Sequence, residues 1–84
     1  MTRMNAAFAD IAPYLPSVPP GLLAMVVELR RRIAEDAEPV HALFEAAQLK
    51  LVAHEMSARS RNPQVLKFAQ LSDLLLKLAR ARAG

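Results

Sequence analysis

The chain has 84 residues, 54% of them hydrophobic, a net charge of +3 and no cysteine. That length allows one small domain, and domains of this size leave much apolar surface uncovered unless a staple or a partner helps. The missing cysteines exclude disulfides and thiolate metal sites as staples, and two histidines, His41 and His54, are too few for a structural zinc site without several carboxylates.

The apolar fraction lies above the usual range of about 45–50% for globular domains. Disorder does not fit such a composition, and the surplus points to self-association, most simply as a dimer, or to a protein partner. The longest uncharged run, Ile11 to Val27, contains Pro13, Pro16, Pro19 and Pro20, which is incompatible with a continuous membrane-spanning helix. Asp10 and the prolines also interrupt any signal-peptide layout, so a cytoplasmic protein is expected. Charge is unevenly spread. Residues 1–58 carry five basic and seven acidic side chains, whereas beyond them Arg59, Arg61, Lys67, Lys77, Arg80 and Arg82 face Asp73 alone. These six cations are the candidate contacts for nucleic acid; the plainer reading is a solvated basic surface.

Helix is the only regular structure with support, because glycine occurs only at Gly21 and Gly84 and no stretch alternates with period two. Residues 3–12 predict a short helix, from Phe8, Ile11 and Leu15 at three-to-four spacing. Residues 13–20 (Pro-Tyr-Leu-Pro-Ser-Val-Pro-Pro) predict a stiff, extended arm of polyproline character, since proline fixes its own φ and moves the preceding residue out of the α region. Tyr14, Leu15 and Val18 need cover, which the protein's own surface or a partner supplies.

A helix over 21–38 follows, with Leu22, Val26, Leu29 and Ile33 in one stripe and Leu23, Val27 and Ala34 beside it. Arg30, Arg31 and Arg32 fall at ion-pair spacing from Glu35, Asp36 and Glu38, which makes them surface charge rather than a phosphate clamp. Pro39 either kinks this helix or opens the next one.

Residues 40–58 predict a helix with two apolar faces. Val40, Leu43, Phe44, Ala47, Leu51 and Ala58 share one; Ala42, Ala46, Leu49, Ala53 and Met56 line the other. A helix apolar on two sides is sandwiched between neighbours. The second, small-residue face is therefore the expected partner or oligomer interface, together with Tyr14 and Leu15 of the arm. Asn62-Pro63 reads as an N-cap and first helical residue of a last helix over 63–82, with Phe68, Leu71, Leu74, Leu75, Leu78 and Ala79 as its stripe. The expected architecture is one all-α domain over 1–84, a three- to four-helix bundle built on an antiparallel hairpin of 40–58 against 63–82.

No constellation points to catalysis. Ser17, Ser57, Ser60 and Ser72 lie in no glycine elbow, and phosphate-cradling loops need glycines the chain does not have. Glu38, His41 and Glu45 fall at helical spacing, but only one copy of this di-metal-like motif exists and Pro39 sits inside it. His54 reads as a hydrogen-bonded boundary residue. No enzyme activity, cofactor or metal is expected.

Asn62-Pro63-Gln64-Val65-Leu66, between two amphipathic helices in a chain near 80 residues, resembles the helical hairpins of type III secretion needle subunits and their small co-chaperones, over roughly residues 40–82. Plasmid-type quorum-sensing antiactivators are similar in size and in a Pro-Pro start to a helix. Neither resemblance carries functional residues onto this chain. The expectation is a helical adaptor, chaperone or inhibitor that binds a protein through apolar helix faces, with a nucleic-acid-binding regulator or a secretion-hairpin component as alternatives.

Overall fold

The computed structural model describes residues 11–35 and 39–84, and every regular element among them is helical. The short helix expected over 3–12 lies almost wholly outside those residues.

The proline-rich arm departs from expectation. Ala12–Ser17 forms a 3-10 helix instead of an extended segment. Proline's fixed φ suits 3-10 geometry as well as polyproline geometry, and two local bonds decide between them. The Ser17 hydroxyl donates to the Tyr14 carbonyl at 2.6 Å, and the Val18 N–H donates to the Leu15 carbonyl at 3.1 Å. Three residues per turn then stack Pro13 and Pro16 on the solvent side, while Ile11 and Ser17 turn inward. Extended backbone survives only at Val18 and Pro19, with ψ of 129° and 139°, directly ahead of Pro20. Ile11 and Val18 are buried, and Tyr14 and Leu15 pack partly buried against the core, so the arm is covered by its own chain.

A 3-10 turn, Pro20–Leu22, leads into helix α1 (Leu23–Glu35). Val26, Leu29 and Ile33 are buried, as their spacing predicts, but Arg30 is buried with them, so the reading of all three arginines as surface charge fails at Arg30. Helix α2 (Pro39–Arg59) begins on Pro39, where the missing N–H costs no intrahelical bond. How residues 36–38 join α1 to it, by kink or by break, lies outside the described residues.

The turn before helix α3 (Pro63–Ala83) forms as its sequence predicts. The Asn62 side chain accepts from the Gln64 N–H at 2.9 Å, Pro63 takes the first helical position, and the Ser60 hydroxyl oxygen accepts from the Asn62 N–H at 3.1 Å. With only residues 60–62 between them, α3 folds back along α2. Phe68, Leu71 and Leu75 of α3 are fully buried, each contributing about 1.5–3 kcal/mol on transfer from water. The Ser72 hydroxyl is also buried and donates to the Ala69 carbonyl at 2.6 Å.

The two faces of α2 are both present, with their roles exchanged relative to expectation. Ala42, Ala46, Leu49 and Ala53, read from sequence as a surface for a partner, lie buried in the chain's own core, and Met56 packs partly buried against it. The reason is close approach. A three-residue connection holds α3 against α2, and alanine lets the large side chains of α3 reach the α2 backbone. On the opposite face Leu43 and Ala47 pack partly buried against the same core, and Val40, Phe44 and Leu51 are left to solvent.

Candidate protein-interaction surface

Among the described residues the large apolar side chains that remain exposed are Leu23, Met25, Val40, Phe44, Leu51, Val52 and Leu66. Single exposed aliphatics are ordinary; a contiguous set is not. Four of these seven lie on α2. At about 100° per residue, Val40, Phe44 and Leu51 fall within about 40° of one another, forming one stripe along the helix. The half-buried Ala47 sits inside that stripe. Val52 stands to one side, toward α1.

There α1 and α2 enclose an open groove of about 610 Å³, lined by Leu22, Met25, Leu29, Leu49 and Val52, with Glu28, Arg32, Glu45 and Gln48 around them. Its charged side chains are already matched. Arg32 Nη1 donates to Glu45 Oε1 at 2.6 Å, tying α1 to α2. Arg31 donates from Nε to Glu28 Oε2 at 3.0 Å and from Nη1 to Glu35 Oε2 at 3.3 Å. The hydrogen bond from Arg31 holds the Glu28 carboxyl below the ordinary carboxylate value against an opposing desolvation, and the same contact raises Arg31. The groove thus presents an apolar floor between neutralised rims.

On the other side of α2, His54 Nε2 lies 2.7 Å from Asp73 Oδ1 and Lys50 Nζ lies 3.7 Å from the same atom. His54 is thus hydrogen-bonded to a carboxylate on α3, in line with its reading as a hydrogen-bonded residue at the edge of an apolar face. Of the glutamates beside His41, Glu45 is engaged by Arg32, and Glu38 lies outside the described residues. Among the described residues no group of three or more acidic, histidine or cysteine side chains is placed to hold a metal ion.

The six C-terminal cations do not form one patch. Arg59 pairs with Glu55 at 2.8 Å. Lys67 borders a small cleft of about 270 Å³ with Pro13, Pro16, Ser17, Pro63 and Gln64. Arg80 and Arg82 occupy the last turn of α3, about 20 Å along the helix from Lys67, beside the carbonyls they complement. Arg61 and Lys77 are exposed. No helix among the described residues is long and apolar enough to cross a membrane.

Sequence reading identified the open stripe of α2 as apolar but missed the groove. Met25 and Val52 lie off the main stripe of their own helices, and only the way α1 crosses α2 makes them neighbours. Comparison with known proteins adds no relative: no family model, curated protein or solved structure matches the chain.

Proposed function

We propose that this chain is a small helical-bundle protein whose function is to bind another protein, as an adaptor, chaperone or inhibitor, by taking an apolar helix of its partner into the α1–α2 groove. The observation that carries this reading is the groove itself: Met25 and Val52 stand exposed over the buried Leu29 and Leu49, flanked by ion pairs that leave no unmatched charge among the described rim contacts. An amphipathic helix docks on such a surface through side chains spaced three and four apart. Because Arg31–Glu28 and Arg32–Glu45 are satisfied within the chain, the occupant is expected to contribute apolar rather than charged anchors.

The test is capture of partners from the native extract by the intact chain and by a Met25→Glu, Val52→Glu variant. Both residues are exposed, so the helices stay folded by circular dichroism while capture falls at least about tenfold, equivalent to about 1.4 kcal/mol. Equal recovery of the same proteins by both chains would sink the reading.

A further inference from the structure

We propose that the open stripe of α2 is the contact between two copies of this chain, paired antiparallel about a two-fold axis, with Phe44 of one copy against Ala47 of the other and Val40 against Leu51. The proposal goes beyond the groove reading and does not depend on it.

Spacing comes first. Val40, Phe44, Ala47 and Leu51 follow one another at intervals of four, three and four residues, the seam of a two-stranded coiled coil. The large members are 62, 68 and 73% exposed for Val40, Phe44 and Leu51. They are the large apolar side chains most open to solvent among the described residues, while Ala47 between them is half-buried against the chain's own core and offers only its outer side to the seam.

Size then selects the orientation. In a parallel pair Phe44 meets Phe44 and Ala47 meets Ala47, which sets a crowded layer beside an empty one. Antiparallel pairing with Phe44 over Ala47 makes every layer large against small or medium against medium. It is also self-consistent under a two-fold axis, because each contact occurs twice.

Area is sufficient. Taking about 150–200 Å² for a large apolar side chain, the exposed parts of Val40, Phe44 and Leu51 amount to about 350 Å² per copy. Flanking Leu43, Ala47 and Gln48 bring the total for two copies toward about 1,000 Å², the lower limit for a specific interface. Charge does not oppose the pairing. Within the overlapping stretch of α2, residues 39–52, Lys50 offsets Glu45, so like helices meet without net repulsion.

The experiment is light scattering on the full chain. The expected mass is twice 9.2 kDa, falling to 9.2 kDa in Phe44→Glu and in Leu51→Glu, each still helical by circular dichroism. A wild-type chain that remains monomeric through the micromolar range, or a dimer that persists in both variants, overturns the proposal. Orientation is read by cross-linking, since the chain has no cysteine of its own. Oxidising a mixture of Phe44→Cys and Ala47→Cys chains should give mainly the mixed disulfide. Predominant Phe44→Cys homodimers would instead show a parallel pair and overturn the stated register.

Discussion

The two apolar faces of α2 differ more in side-chain size than in hydrophobicity, and size is what sends one inward. Ala42, Ala46 and Ala53 are buried, whereas Val40, Phe44 and Leu51 are open. Hydrophobic transfer alone favours the reverse, since a buried Phe or Leu gains about 1.5–3 kcal/mol and an alanine much less. The neighbour explains the outcome. Phe68, Leu71 and Leu75 of α3 belong to the same buried core as these alanines, where large side chains complement small ones. Helix spacing follows side-chain size at the contact, so a face lined with alanine permits the closer approach. Leu49 is the one large side chain of the four that this face buries, so the inner face is mostly but not wholly small.

Enlarging the inner face should do the most damage. Ala46 is fully buried, so Ala46→Leu should overpack the α2–α3 contact and cost about 1–3 kcal/mol. For a domain of this size each kcal/mol shifts the thermal midpoint by about 4–8 °C. The matched change on the outer face, Leu51→Ala, should stay within about 0.5 kcal/mol when unfolding is measured in solution dilute enough for the chain to be monomeric. If the two substitutions cost the same, the distinction between the faces is wrong.

A smaller effect is expected at the turn that enforces the close approach. Asn62→Ala removes the acceptor for the Gln64 N–H and should cost about 1 kcal/mol in urea unfolding, while Asn62→Gly should cost only a few tenths. A loss well above that for alanine would mean the turn stabilises more than one helix end.

How much of this was legible in the residues follows the range of the interactions. The Asn62-Pro63 start of α3 and the buried stripe Phe68, Leu71 and Leu75 depend on neighbours a few positions away, and they stand where their spacing places them. The arm did not follow its local rule, because the pre-proline restriction is weaker than the two bonds that close the 3-10 turns at Ser17 and Val18. The inner and outer faces of α2 were both visible as stripes, but periodicity carries no information about which stripe meets α3. That choice needs the volumes on the facing helix. The groove was less legible still, since Met25 and Val52 become neighbours only through the crossing of two helices.

The weakest effect separates the rim of the groove from the open stripe beside it. Glu28 is held below its ordinary value of 4.5, first by the hydrogen bond from Arg31. A carboxyl with a depressed folded value adds stability that is fully present above its unfolded value and is lost as pH falls through the folded one. Acidification from about pH 5 toward pH 3 should therefore lower the thermal midpoint of the native chain slightly more than that of Glu28→Gln. The difference is small because both partners are exposed to solvent and screened by it. It should shrink further in high salt, whereas burial of Phe44 and Leu51 between two copies should be insensitive to salt. A Glu28→Gln chain with the same acid profile as the native one would show that the Arg31 pair holds the rim in place without stabilising it.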